Sequence, residues 1–200
     1  MKDLYSYIFD LFMLPLEKNG LSQVRKKLLI KAKGDILEIG PGTGVNLKYY
    51  DSEKVQSLTQ IDLKIAESLK EKGEKNSDFP VDLIEGSVEE LPFCSRKFDC
   101  VVVTLVFCSV VEVNKALQEI KRVLKDDGIF IFIEHVLSNN TFLAKIENVL
   151  NTPWKSFAGG CNLNRETRKS IERNGFQVLE FDTGWKGIMI SGIEKKNPKA

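Results

Sequence analysis

Apolar residues recur at helical spacing over the first thirty or so positions. Leu4, Ile8, Leu11 and Phe12 form one stripe, which Pro15 interrupts, and Leu21, Val24, Leu28 and Leu29 form a second. Both follow the spacing of a helix with one buried face, so two helices are expected ahead of the first strand, covering a sheet edge or serving as a lid. The pattern then shortens. Ile36, Leu37 and Ile39 suit a buried strand that runs into glycines. A short helix is expected over Val45 to Tyr50 and a strand over Val55 to Ile61, ending in Asp62. A charged helix over Lys64 to Lys75, a strand over Val81 to Glu85 and a fully buried strand over Phe98 to Thr104 come next. Glu112 to Lys125 reads as an amphipathic helix stopped by Asp126-Asp127-Gly128, before a strand over Ile129 to Val136. Arg165 to Asn174 reads as a helix with Asn164 as N-cap and Gly175 as its stop. Strands over Phe176 to Asp182 and Ile188 to Ile193 close the chain, joined by the hairpin-length link Thr183 to Gly187. Alternating strands and helices predict an α/β fold: a doubly wound, mostly parallel seven-stranded sheet with one antiparallel edge hairpin. No repeat or linker interrupts residues 1–200, so one domain is expected, with helices in 1–33, a core in 34–136 and closing elements in 137–200.

Composition narrows the function classes. The 200 residues are 42% hydrophobic and 28% charged, with a net charge of +1. That balance suits one globular core and provides no global field for nucleic acid. Arg25-Lys26-Lys27, the densest basic cluster, reads as the solvated face of a helix. The cysteines Cys94, Cys100, Cys108 and Cys161 form no Cys-x-x-Cys, and His135 is the only histidine; no metal site is expected. Free thiols fit a reducing compartment. Lys2-Asp3 precedes no clean apolar stretch, and Ile8 to Leu16 is far short of the ~20 residues that span a bilayer. A cytoplasmic monomer acting on a small molecule is expected, with no integral membrane segment and peripheral membrane contact left open.

The densest chemistry lies in Glu38-Ile-Gly-Pro-Gly-Thr-Gly44. Gly40, Gly42 and Gly44 lack a Cβ, so a ligand can lie against the backbone. A dinucleotide fingerprint needs Gly-x-Gly-x-x-Gly, and here the third glycine comes one residue early. The acid before the turn suits a ligand carrying an ammonium group, whereas a turn built for pyrophosphate alone gains nothing from a carboxylate. In an open α/β sheet, ligands bind beyond the carboxyl ends of the strands. Asp62 stands at such an end, 18 residues after Gly44, where a carboxylate can accept from both ribose hydroxyls.

This turn resembles motif I of the class I S-adenosylmethionine-dependent methyltransferases, whose sheet is Rossmann-like. Glu85-Gly-Ser-Val-Glu-Glu-Leu-Pro-Phe93 is similar to that family's Gly-Asp-Ala-Glu-x-Leu-Pro-Phe segment, with Ser87 standing where an acid is usual. More narrowly, four segments look like the methyltransferase-like thiol S-methyltransferases and their bacterial relatives. They are Phe98-Asp-Cys-Val-Val-Val-Thr-Leu-Val-Phe-Cys-Ser-Val110, Glu119-Ile-Lys-Arg-Val-Leu-Lys-Asp-Asp-Gly128, Phe132-Ile-Glu-His-Val136 and Gly160-Cys-Asn-Leu-Asn-Arg-Glu-Thr167. Animal members carry an N-terminal membrane anchor, and none is expected here. The resemblance implies that Glu38, Gly40, Pro41, Gly42 and Gly44 hold the methionine end of S-adenosylmethionine. It also implies that Asp62 binds the ribose, that Leu63, Ser87 and Val88 flank the adenine, and that Thr104 and Leu105 pass near the methionine half.

Methyl transfer from a sulfonium is a direct displacement, so the enzyme mainly aligns the partners and excludes water. A thiol acceptor, with a pKa near 8.5, needs only modest help in losing its proton; a phenol or amine needs more. The resemblance makes a small apolar thiol the leading acceptor, ahead of a lipid amine or a quinone precursor; a catalytically silent cofactor-binding partner is the non-enzyme alternative. His135, at the end of the fifth strand, is the acid–base candidate. Strand alternation turns Glu134 to the other face. Cys108, Trp154 and Asn162 are the candidate acceptor contacts, with Cys161, Phe157 and Gly159-Gly160 in the loop expected before the last helix. Tyr5, Tyr7, Phe9 and Phe12 are candidates to close the top, since aromatic faces attract a sulfonium.

Overall fold

The valine-rich run Phe98–Thr104 lies mid-sheet, where apolar side chains on both faces find partners. A computed structural model of the chain describes residues 11, 13–76, 78–157 and 160–196. Its strands are β1 (Gly34–Ile39), β2 (Val55–Asp62), β3 (Val81–Glu85), β4 (Phe98–Thr104), β5 (Leu124–His135), β6 (Phe176–Gly184) and β7 (Met189–Lys196). They form one sheet in the order β3-β2-β1-β4-β5-β7-β6. β1 to β5 pair in parallel, and β7 runs antiparallel between β5 and β6. The expected doubly wound sheet with an antiparallel edge is therefore observed. Strand order reverses between β1 and β4, the usual ligand crevice of such sheets.

The helices are α1 (Ser22–Leu29), α2 (Glu67–Asn76), α3 (Val113–Val123), α4 (Thr141–Phe157) and α5 (Thr167–Arg173). Strand alternation sorts the core into two layers. Leu37, Val101, Val103, Phe130 and Phe132 share one with Leu117 and Ile120 of α3. Ile36, Leu58, Val102, Ile131 and Ile133 share the other with Leu28 and Leu29 of α1 and Leu69 of α2. Each such side chain contributes roughly 1.5–3 kcal/mol by leaving water.

Several boundaries differ from the sequence reading. Val45–Tyr50 is not a helix; after a run of turns only the short 3₁₀ segment Leu47–Tyr49 forms. Three left-handed glycines immediately upstream and the inward engagement of Asn46 leave no room for a regular first turn. α3 stops at Val123, and Asp126-Asp127-Gly128 is a bulge within β5, because Phe98 pairs with Leu124 and Cys100 with Ile129. Asn164 does not cap α5: the N-cap position is Glu166, without a side-chain bond, and Asn164 Nδ2 donates to Asn148 Oδ1 at 2.8 Å.

The largest difference is α4, in a stretch read as a loop. This helix is inverted. Phe142, Ile146, Val149 and Leu150 face outward, with Val149 76% exposed, while Glu147 is buried. Of the first predicted helical stripe, Leu4, Ile8 and Phe12 lie outside the described residues, as do Tyr5, Tyr7, Phe9, Gly159 and the side chain of Phe157. No helix among the described residues is long and apolar enough to cross a membrane.

Candidate functional site

The glycine turn has the backbone that its sequence demands. Gly40, Gly42 and Gly44 take φ values of +64°, +55° and +75°, a region that side chains rarely adopt. They differ in what surrounds them. A Cβ on Gly40 would meet Val106 Cγ2 at 2.3 Å, so that glycine lets the loop after β4 come close. A Cβ on Gly42 would meet nothing within 4 Å; it is the glycine whose open side a ligand can lie against. Pro41 is buried, and its carbonyl accepts the Gly44 N–H at 2.9 Å to close the turn.

Glu38 sits beneath this turn and is fully buried. Its carboxylate oxygens accept from Asn46 Nδ2 and Gln60 Nε2, each at 2.7 Å. Burial raises its pKa, and the bonds from Gln60 and Asn46 pull the other way. Asn46 Nδ2 also donates to Thr104 Oγ1 at 3.0 Å, and its Oδ1 accepts from Arg25 Nη1 at 2.7 Å. Arg25 is only 5% exposed and pairs with Glu17 at 2.9 Å. This overturns its assignment to a solvated face: Lys26 and Lys27 are exposed, whereas Arg25 runs inward and ties α1 to the turn. Glu38 and Thr104 therefore belong to a buried polar network under the crevice.

The other expected cofactor contacts converge on the same end of the sheet. Asp62 terminates β2; burial, the largest influence, raises its pKa, and the nearby backbone N–H groups of Leu63, Gly42 and Lys64 pull the other way. The carboxylate therefore stands beside the glycine turn. Leu63 is 77% exposed beside it. Ser87 Oγ accepts the Glu89 N–H at 3.1 Å, so the hydroxyl standing where the family carries an acid folds back on its own loop. Val88 is buried. Leu105 has a φ of +59°, a non-glycine strain of order 1–3 kcal/mol of the kind that collects at functional sites. Its N–H is held by the Ile133 carbonyl at 2.8 Å.

On the acceptor side, the segment after β4 meets the segment before α5. Asn162 donates twice to the Cys108 carbonyl, from its backbone N–H at 2.8 Å and from Nδ2 at 2.9 Å. Cys108 Sγ lies 3.7 Å from the Leu105 carbonyl and 3.6 Å from Ser109 Oγ, and Cys161 lies within electrostatic reach of Cys108 and Trp154. Trp154 lies on α4, not in a loop, but it does reach this cluster. The interaction with Cys161 and then burial push the Cys108 thiol up, so it stays protonated. Cys161 is drawn down, first by its interaction with Cys108, with help from Trp154 and Arg165.

The neighbouring strand residues divide as alternation requires. Glu134 points at the loop after β4, where Oε1 accepts the Val106 N–H at 2.9 Å. Complete burial lifts its pKa to about 8, and the carboxyl lies within electrostatic reach of both thiols. His135 turns towards α4, with Nε2 at 4.0 Å from Glu147 Oε1. Burial lowers its pKa to about 4, leaving a neutral imidazole, and Nδ1 has no hydrogen-bond partner among the described residues. Glu134 and His135 thus face opposite ways at the β5 terminus.

The sequence pattern puts Arg25 on a solvated face and gives Glu134 only its facing, and it does not single out Asn46 or the pairing of Cys161. A lone acid in the apolar run Phe132-Ile-Glu134 was the available signal for Glu134; Asn46, two residues past Gly44, was another. Two surface clefts, one at Arg96, Arg122 and Asp126 and one at Leu28, Glu180 and Asp182, contain none of the expected site residues.

Comparison with known proteins agrees with this geometry. Residues 37–132 match the family described as "Methyltransferase domain". Rat thiol S-methyltransferase TMT1B is 31% identical over 150 residues, covering 74% of this chain and 62% of the rat protein, so the chain spans less than two thirds of that relative. Human thiol S-methyltransferase TMT1A is 28% identical over 182 residues, covering 88% and 74% respectively. The crystal structure of an S-adenosylmethionine-dependent methyltransferase from Mesorhizobium loti has the same fold, with a TM-score of 0.68 at 13% identity, covering 88% of this chain and 97% of that one. Gly42 provides the open cradle, and Asp62 provides a strand-end carboxylate beside it. With the sheet order, they lie in a stretch, residues 37–132, that is a methyltransferase domain, and its crevice suits S-adenosylmethionine.

Proposed function

We propose that the chain transfers a methyl group from S-adenosylmethionine to the sulfur of a small apolar thiol. The observation that carries the choice of acceptor is the likeness to two proteins named as thiol S-methyltransferases. The chemistry of the acceptor side supports it: Cys108, Cys161 and Trp154 form a soft, weakly polar lining. Bound in the crevice, the cofactor supplies an electrophilic methyl group on sulfur. The chain's own part is to hold, align and keep water out. In this reading the open side of Gly42 and the turn from Gly40 through Pro41 to Gly44 receive the methionine end. Glu38 and Thr104 act from beneath by fixing the turn through Asn46, and Leu105 borders the same half. Asp62 accepts from the ribose hydroxyls, while Leu63, Ser87 and Val88 flank the adenine. Residues 1–33, 34–136 and 137–200 act as cover, cofactor core and acceptor side of one domain. The reading includes a monomer in the cytoplasm, which the free thiols support.

Asp62→Ala is expected to weaken cofactor binding about 10- to 100-fold, the loss of one or two charge-assisted hydrogen bonds. Titration calorimetry with S-adenosylmethionine checks this, and wild-type affinity removes the ribose assignment.

His135 is proposed as the group that receives the acceptor's hydrogen bond or proton, since its Nδ1 carries no bond among the described residues. His135→Ala should lower turnover by up to about 10²-fold. A group titrating near 4 is neutral throughout pH 6–8, so the variant should keep the wild-type pH midpoint in that window. A midpoint that vanishes with the imidazole contradicts the depressed pKa; unchanged turnover removes the role.

The reading as a whole is tested with alkyl thiols, phenols and amines, scored by S-adenosylhomocysteine release. Thiols are expected to turn over and the others to lag; an amine or phenol product with inert thiols overturns the acceptor class. Cofactor binding without coproduct from any acceptor supports a silent partner protein. The outward apolar stripe of α4, flanked by Lys145 and Lys155, favours a second reading with an acceptor delivered from a lipid surface. The same screen run with acceptors in anionic vesicles separates the two.

A further inference from the structure

Two thiols brought together by a backbone hydrogen bond, one of them only partly buried and near an arginine, make a chemical site in their own right. Cys108 and Cys161 stand 53 positions apart in sequence and form no Cys-x-x-Cys, yet the fold brings the two residues side by side, within electrostatic reach of each other. The backbone carries them there: the Asn162 N–H bonds the Cys108 carbonyl at 2.8 Å, with the Asn162 side chain on the same oxygen at 2.9 Å. Arg165 Nη2 binds the Val110 carbonyl at 2.5 Å, clamping the two segments on the far side of the pair. Backbones held one hydrogen bond apart are at about the separation that a disulfide spans. The two thiols are not alike. Cys108 is 5% exposed, whereas Cys161 is only partly buried and has Arg165 and Trp154 as neighbours. An accessible sulfur in an electropositive setting with a second thiol behind it is the arrangement that favours selective oxidation.

We propose that Cys161 and Cys108 form a peroxide-reactive pair, with Cys161 oxidised first and Cys108 closing an intrachain disulfide that locks the acceptor-side segment to the end of β4. The Cys161 thiolate attacks one peroxide oxygen; an S–O bond forms, the O–O bond breaks, and the departing hydroxide takes a proton to become water. Sulfur loses two electrons and peroxide gains them. The Cys108 sulfur then attacks the Cys161 sulfenic sulfur; the S–S bond forms, the S–O bond breaks, and the departing hydroxide leaves as water with the Cys108 proton. Two thiols and one peroxide give one disulfide and two waters.

The readout is oxidation state, independent of methyl transfer. The whole chain is treated with a slight excess of hydrogen peroxide at pH 7, quenched with an alkylating agent and digested. Mass spectrometry is expected to find the 108–161 cross-linked peptide, 2 Da lighter than the two thiol peptides, with Cys161 consumed about tenfold faster than the exposed Cys94. Cys108→Ser should remove the cross-link and leave a sulfenic acid at Cys161 that a dimedone-type reagent traps. Consumption of Cys161 no faster than Cys94, or oxidation of Cys161 past sulfenic acid in the wild type without the cross-link, overturns the proposal.

Discussion

Asn46→Ala is expected to destabilise the protein by about 3–5 kcal/mol and to weaken cofactor binding as well. One amide holds three buried partners: Arg25 at 2.7 Å, Glu38 at 2.7 Å and Thr104 at 3.0 Å. Arginine can only donate, so the Asn46 oxygen must face Arg25 and the nitrogen must face the two acceptors. Truncation leaves a guanidinium, a carboxylate and a hydroxyl short of a bond where water is scarce. Breaking a buried charged network by removing one member costs that much because the remaining charges stay buried. The effect extends to the ligand because Asn46 lies two residues past Gly44 and its partners fix the far side of the turn. Denaturant unfolding and calorimetry check the two parts. A variant within about 1 kcal/mol of wild type means that the network repacks around a water and is not what shapes the turn.

The second large effect is on pH dependence. Glu134 is completely buried, and desolvation, its largest influence, lifts it to about 8. A folded-state pKa above the unfolded value near 4.5 means that the proton is bound more tightly in the native state. The stabilisation is fully present below pH 4.5 and is lost as pH rises through 8. The span corresponds to roughly 3–5 kcal/mol. Glu134→Gln keeps the shape and an acceptor for the Val106 N–H while removing the titration. The variant should match the wild type within about 1 kcal/mol at pH 5 and exceed it by about 3 kcal/mol at pH 9. Unfolding midpoints across that range decide the matter: parallel curves mean that Glu134 is not held protonated. The same contrast bears on the acceptor side, where ionisation of Glu134 would place a negative charge in reach of Cys161.

Local patterning was legible wherever one face of an element is buried in the ordinary sense. β4 and α3 followed their apolar spacing because Val101, Val103, Leu117 and Ile120 all face a core. The glycine turn was legible because only glycine fits those dihedral angles, and the place of Asp62 at the end of β2 because the apolar run before it marks the strand. α4 was not legible. Its apolar stripe at Phe142, Ile146, Val149 and Leu150 faces outward while Glu147 and Trp154 face in, and the interruption at Pro153 hid the rest. Asn164 looked like a cap but bonds Asn148 on a neighbouring helix instead. Arg25 sat among lysines, and its burial depended on Asn46 and Glu17 being brought to it.

The order of short apolar runs, the alternation that makes them strands and the glycine spacing were written in the chain, because they rest on repeats of two to four residues and on backbone dihedral angles. Which polar side chains are buried, and with whom, was decided only by the tertiary structure. Arg25 meets Asn46 across 21 positions and Asn162 meets the Cys108 carbonyl across 54. A hydrogen bond has no periodicity along the sequence, so its partner becomes definite only when the sheet order brings the two segments together.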